Sequence, residues 1–310
     1  MTGSIFTFLF KFIIYVVIIK MTNYIEDLNR DGYAIIPNII TSDEIEEARE
    51  YFFSWKNKLT EIIPNFLENN NKLNPHNIFK FHEVGHQRFM WFLRTRPKIQ
   101  DVFKRIWNTE ELTVGFDGCC WMPSDLNKKD NIWTHTDQAP AYSGMKCIQG
   151  FVALTSNQER TLRVYKGSHN LHQEYFTSRN IDHKTNWELI DHDYLDRIKD
   201  TKINLNVPAG SLVLWDSRTF HQNQYGCPGE ERIVCYISYL PKNNPINNET
   251  QQRKRRKYFE ERRTTSHWAY PIKVNSKQPQ IYGNQDLKID YDVLPKPDLE
   301  DLLPEIEKVL

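Results

Sequence analysis

The chain has 310 residues, 39% of them hydrophobic and 13% aromatic, which supports a packed core and excludes a disordered composition. Forty Lys and Arg balance forty Asp and Glu, with a pI near 7.1, so no global charge directs the chain to nucleic acid or an acidic partner. The five cysteines (Cys119, Cys120, Cys147, Cys227 and Cys235) are odd in number and match neither a disulfide framework nor a zinc knuckle; they read as reduced thiols of a reducing compartment, with the cytoplasm expected.

The chain opens with a hydrophobic run, Ile5–Ile19, broken by Lys11. At about 1.5 Å per residue it would reach about 22 Å, short of a bilayer core of about 30 Å. Three readings stand for residues 1–20: a short signal-anchor that would associate the protein with a membrane, a removed signal, or an extension upstream of a body that begins at Met21. "YAIIPNII" (Tyr33–Ile40) then predicts a short strand. "TSDEIEEAREYFFSW" predicts a helix, with Thr41 and Glu44 spaced as a capping box and Ile45, Ala48, Phe52 and Trp55 at helical spacing. "LENNNKLNPHN" reads as a polar loop. "RPKIQDVFKRIWN" predicts a second helix, with Pro97 in its first turn.

From residue 111 the pattern changes to short β-rich runs: "LTVGF", "CIQGFVAL", "LRVY", "SLVLW" and "IVCYISYL". "NWELIDHDYLDRIK" is a helical insertion between them. The expected fold is mainly β with flanking helices (α+β): a jelly-roll, cupin-like double-stranded β-helix over about 111–240, within a domain spanning 21–245. Residues 246–310 read as a C-terminal extension on that core. It includes a charged helix, "NETQQRKRRKYFEERR".

"NIWTHTDQAP" sets His135 and Asp137 two residues apart. In a strand such residues point to one face, so both can reach one ion. "GSLVLWDSRTFHQN" supplies a third candidate ligand, His221, just after a strand and a bend. Two histidines and one carboxylate make the facial triad of non-haem Fe(II) oxygenases. Arg232 opens the next strand, where a guanidinium could hold the distal carboxylate of 2-oxoglutarate by a bidentate pair.

With these residues the chain resembles the phytanoyl-CoA dioxygenase-like branch of the Fe(II)/2-oxoglutarate oxygenases from about Met21 to Leu240. The motifs that carry the resemblance, in order, are "DGYAIIPNIITSDEIEEA", "WTHTDQ", "GFVALTSNQERTLRVYKGSH" and "AGSLVLWDSRTFHQN", followed by Arg232. The resemblance implies His135, Asp137 and His221 as iron ligands and Arg232 as the 2-oxoglutarate anchor. It also places Asn223, Phe151 and Gln149 near the co-substrate. Lys166 stands where the family has a proline before Gly-Ser-His, and Ser211 where an acidic residue is common. The implied activity consumes 2-oxoglutarate and O₂, gives succinate and CO₂, and is supported by ascorbate. Related halogenases lack the carboxylate, so Asp137 favours hydroxylation. The substrate (small molecule, lipid or protein side chain) is not legible.

Rival readings stand beside this one. His82-Glu83-x-x-His86 matches the zinc-protease pattern, which requires a helix and a third ligand. A jelly-roll binding module without turnover is another. Arg253–Lys257 reads as a nucleic-acid signal or, with "YFEERR" following, as a solvated helix face. His267 and Trp268 either cover the substrate pocket or form a buried structural pair. Gln138 and Gln149 either orient substrate, support the metal ligands from behind, or satisfy backbone groups.

Overall fold

The computed structural model describes residues 24–310. The run Ile5–Ile19 lies outside the described residues, and no described helix is long and apolar enough to cross a membrane.

Thirteen strands are defined among the described residues. They are β1 (Tyr33–Ile36), β2 (Ile78–Phe79), β3 (Leu112–Val114), β4 (Cys119–Met122), β5 (His135–Thr136), β6 (Ile148–Ala153) and β7 (Leu162–Tyr165). After these come β8 (Glu188–Leu189), β9 (Lys202–Asn204), β10 (Leu212–Asp216), β11 (His221–Asn223), β12 (Arg232–Ile237) and β13 (Tyr239–Pro241). Two antiparallel sheets form a double-stranded β-helix: a major sheet ordered β1-β10-β6-β12-β4-β2 and a minor sheet ordered β8-β5-β11-β7-β9. β3 and β13 pair separately.

The period-2 alternation of the major sheet separates two cores. Cys120, Phe151, Val213, Trp215 and Val234 face inward and pack with Leu162 and Val164 of the minor sheet. Cys119, Val152, Leu214, Ile233 and Cys235 face outward into the helical layer. The adjacent Cys119 and Cys120 therefore serve different cores, and all five cysteines are free thiols.

The helical layer begins with α1 (Ser42–Ile62), whose capping box is formed: Glu44 N donates to Thr41 Oγ1 (3.2 Å) and Thr41 N to Glu44 Oε2 (2.9 Å). Its Ala48, Phe52, Trp55 and Leu59 are buried, with Phe52 edge-on to Phe89 at 5.4 Å. The stretch expected as a polar loop instead contains α2 (Phe66–Leu73), because Phe66 and Leu73 are buried against the body and tertiary burial overrides the weak propensity of its asparagines. Then follow α3 (Arg88–Arg94) and α4 (Pro97–Trp107), which starts on its proline and buries Ile99, Val102 and Phe103. A separate short helix, α5 (His172–Thr177), follows β7; of the helical insertion expected over 186–199, Glu188–Leu189 forms β8 and only α6 (His192–Arg197) is α-helical.

Beyond β13, α7 (Glu249–Glu260) carries the basic run. Its Arg255 is buried and donates to Asn247 Oδ1 (3.0 Å) and to the Ala269 carbonyl, so one member of that run is structural and the rest of the helix is largely solvated. The last helix, α8 (Leu303–Val309), sends Ile306 and Val309 into the main core.

Candidate metal centre

His135 and Asp137 sit at and just beyond β5, and His221 opens β11, which pairs with β5 so that His221 lies directly opposite His135. Local alternation brings the first two together, and strand pairing adds the third. His221 Nε2 lies 3.2 Å from Asp137 Oδ2, and His135 Nε2 lies 3.7 Å from Asp137 Oδ1. One ligand atom from each residue lies within 4.8 Å of the others, and among the described residues this is the only such group of three or more His, Cys, Asp or Glu side chains.

The donor chemistry fits a divalent cation. His135 Nδ1 contacts the Trp133 carbonyl (3.1 Å) and His221 Nδ1 the Thr219 carbonyl (2.9 Å). A carbonyl only accepts, so each Nδ1 donates, which leaves Nε2 as the nitrogen that can offer a lone pair to a ligand. Burial, reinforced by neighbouring His221, pushes the His135 pKa down to about 3, which keeps the ring neutral. Burial alone would raise the Asp137 pKa, but in acid the protonated neighbouring imidazoles, His135 first, outweigh it and hold the carboxyl well below the usual range, so at neutral pH it is an anion beside a neutral His135. Gln149 Nε2 donates to Asp137 Oδ2 (2.9 Å). Of the places expected for Gln149, beside the co-substrate or behind a metal ligand, this contact fits the second, since its amide orients the candidate ligand carboxylate. Gln138 is fully occupied in holding its own loop: its amide donates to the Tyr142 and Gly144 carbonyls, and its Oε1 accepts from Lys146 N and Ser217 Oγ.

The Gly-Ser-His turn fastens the distal histidine. Ser168 Oγ accepts from Phe220 N (2.9 Å), the residue before His221. Gly32 lies beneath, at φ +81°, where a Cβ would stand 2.6 Å from His169 Nδ1 and 2.7 Å from Thr219 Oγ1. Lys166 reaches Asp31 Oδ2 at 3.3 Å. Gln222 ties the proximal loop to β11, accepting from Trp133 N (3.2 Å) and Thr134 Oγ1 (2.7 Å). Ser211, also flagged by the sequence, is buried just before β10.

Arg232 is fully buried on the inward face of β12. Its Nη1 donates weakly to Cys120 Sγ at 3.8 Å, and its Nε and Nη2 have no partner. Its guanidinium lies 5.4 Å from the Phe151 ring centroid. A buried guanidinium with unused donors suits a carboxylate that arrives with a ligand. Phe151 does not line the cavity; it is buried beside Arg232. Asn223 does line it, and donates to Tyr236 Oη at 3.0 Å. Tyr236 was missed by sequence reading although it shares the inward face of β12 with Arg232, four positions away, a signal that the strand period carries.

A cavity of about 440 Å³ is lined by the three candidate ligands together with His76, Trp133, Trp187, His267 and Trp268, among others. His267 and Trp268 join its wall and also pack on each other, their rings 5.3 Å apart. Trp187 gave no sequence signal, because it belongs to an insertion whose path only the fold defines.

The zinc-protease pattern is overturned. His82 and Glu83 have left-handed backbones (φ +58° and +56°), and Val84–His86 is a single 3₁₀ turn rather than an α-helix. His86 Nε2 meets the Arg263 carbonyl (3.1 Å), Glu83 is paired with Arg262 (2.6 Å), and His82 packs on Phe66.

A sequence model described as phytanoyl-CoA dioxygenase matches residues 28–224. A curated relative, Ava biosynthesis cluster protein O from Aspergillus versicolor, is 32% identical over 181 residues, which is 52% of this chain and 57% of the relative; the chain thus spans a little over half the length of that protein. Among solved structures, HygX from Streptomyces hygroscopicus with nickel and 2-oxoglutarate bound is 14% identical with a TM-score of 0.48, covering 71% of this chain and 87% of that one. The apo form of the non-haem monooxygenase ThoJ is 14% identical with a TM-score of 0.49, covering 92% of this chain and 94% of that one. Likenesses at this level carry no weight for the reaction. The sequence match spans more than half of the chain and encloses β5, β7, β10 and the distal histidine, so the chain belongs to the phytanoyl-CoA dioxygenase family of non-haem iron/2-oxoglutarate oxygenases.

Proposed function

We propose that the protein is an Fe(II)/2-oxoglutarate-dependent dioxygenase that hydroxylates a small organic molecule while 2-oxoglutarate is converted to succinate and CO₂. The observation that carries this reading is the complete His135–Asp137–His221 set, buried at the floor of a cavity with both histidine Nε2 atoms turned to the one carboxylate. The carboxylate at 137 supports hydroxylation over halogenation, since it fills the position a halide would need. The assignment of the curated relative to a biosynthesis cluster favours a small molecule over a protein side chain.

When bound, Fe(II), 2-oxoglutarate and O₂ would supply the oxidising chemistry. The residues of the chain hold, orient and enclose. His135 and His221 would offer neutral nitrogen ligands, each aligned by a carbonyl behind it. Asp137 would contribute the negative charge, with its rotation restrained by Gln149. Arg232 would receive the far carboxylate of 2-oxoglutarate on its unpartnered nitrogens. Asn223 and Tyr236, already joined, would form a polar wall beside it. His267 and Trp268 help to enclose the site and limit water.

The test is succinate formation by the full chain with Fe(II), 2-oxoglutarate, ascorbate and O₂. Slow turnover without substrate is expected, and it should disappear in His135→Ala and Asp137→Ala proteins that retain the wild-type circular dichroism. Turnover retained in either variant would refute the assignment.

A further inference from the structure

Trp187 is an unusual tryptophan. Its backbone has φ +77°, a region that side chains other than glycine occupy at a cost. It is also 46% exposed, so burial of the indole offsets little of that cost. The segment that presents it is tied on both sides. Asn186 Oδ1 accepts from Ala139 N (3.1 Å), Ala141 N donates to the His183 carbonyl (3.2 Å), and the next two residues pair with β5, Glu188 opposite Thr136 and Leu189 opposite His135. The indole is thereby held over the metal centre, its ring 5.4 Å from that of His135, and it lines the cavity.

A second aromatic surface borders the same space. Trp133 is stacked near His135 (5.0 Å, 19° between planes), and His76 is stacked on Trp133 (3.8 Å, 16°). These stacked rings and the strained, exposed indole border the same cavity, and of them the indole is the one left largely open, at 46% exposure. The cavity, about 440 Å³, has the size of a small-molecule site.

We propose that the substrate is a planar, conjugated small molecule that stacks on Trp187, beside the Trp133–His76 stack, at the entrance to the metal centre. This inference rests on the oxygenase reading above and narrows it. Trp187 is a substrate-positioning residue and is not among the candidate metal ligands.

The test uses the full chain loaded with Mn(II) and saturated with 2-oxoglutarate, titrated calorimetrically with 2-naphthol and with decahydro-2-naphthol. The two probes share a hydroxyl and a ring skeleton but differ in planarity. The naphthol should bind about 5- to 10-fold more tightly, in line with one or two favourable ring pairs. Trp187→Ala should remove most of that preference and Trp187→Phe should keep it, with 2-oxoglutarate binding unchanged in both. Equal or tighter binding of the saturated alcohol, no saturable binding of naphthol, or an undiminished preference in Trp187→Ala would overturn the inference and leave the oxygenase reading standing. Trp187→Gly gives an independent readout: glycine accepts this φ freely, so the melting temperature should hold or rise. A fall of more than a few degrees would make the indole a structural residue and also overturn the inference. Failure of Mn(II) and 2-oxoglutarate themselves to bind would instead remove the oxygenase reading, and the substrate inference with it.

Discussion

Gln149→Leu isolates the support of a metal ligand from the ligand itself. The wild-type amide donates to Asp137 Oδ2 at 2.9 Å, the same oxygen that faces His221 Nε2 at 3.2 Å. Gln149 is buried, and a hydrogen bond to a charged acceptor contributes about 1.5–3 kcal/mol. Leucine keeps the volume roughly but donates nothing, so the carboxylate is free to turn away from the two histidines. Converted at about 1.4 kcal/mol per tenfold, the loss predicts metal binding weaker by about 10- to 150-fold, in the range found when outer partners of metal ligands are removed. Mn(II) titration followed by electron paramagnetic resonance measures this directly, with circular dichroism to confirm the fold. Gln149 lies on β6 and Asp137 beyond β5, so the effect tests a contact that bridges the two sheets. A dissociation constant within twofold of wild type would refute the orienting role.

Further outcomes are expected elsewhere. Arg232→Met should weaken 2-oxoglutarate binding by roughly 10- to 100-fold. It should leave the ligand-free protein as stable or more stable, since it removes a buried guanidinium with two unpartnered nitrogens; unchanged 2-oxoglutarate affinity by calorimetry would place the carboxylate elsewhere. Gly32→Ala should destabilise by about 1–3 kcal/mol in urea denaturation, from left-handed strain and crowding against His169 and Thr219. No change in the midpoint would show that the turn can shift. Acid should destabilise through His82 and His86, whose pKa values burial pushes down to about 4 and about 3. Their folded values lie below the unfolded value near 6.5, so below that pH the unfolded chain takes up protons the folded one refuses, and stability falls. Each should contribute about 1 kcal/mol of loss between pH 7.5 and 5.5, and His86→Phe should flatten this limb in paired urea titrations; an unaltered slope would refute it.

Much of this protein follows from sequence by itself, where the deciding interactions are local. The capping box at Thr41 and Glu44, the proline start of α4 and the alternation of β6, β10 and β12 all depend on residues a few positions apart. The pairing of His135 with Asp137 does too, since a strand sends i and i+2 to one face. His221 was legible through its motif, and so was the position of Arg232 at the head of the next strand. Tertiary structure decided the rest, because long-range contacts carry no period in sequence. It gave α2 its helix by burying Phe66 and Leu73. It bent His82 and Glu83 into left-handed conformations, so that a motif meaningful only on a helix lost its geometry. It assigned Gln149 to Asp137 across two sheets, placed Tyr236 beside Asn223, and drew Trp187 from an insertion and Trp268 from the C-terminal extension to one cavity. Ligand residue types are set by the chemistry of the ion and recur in short patterns, whereas the walls that choose a substrate come from segments that meet only when the chain has folded.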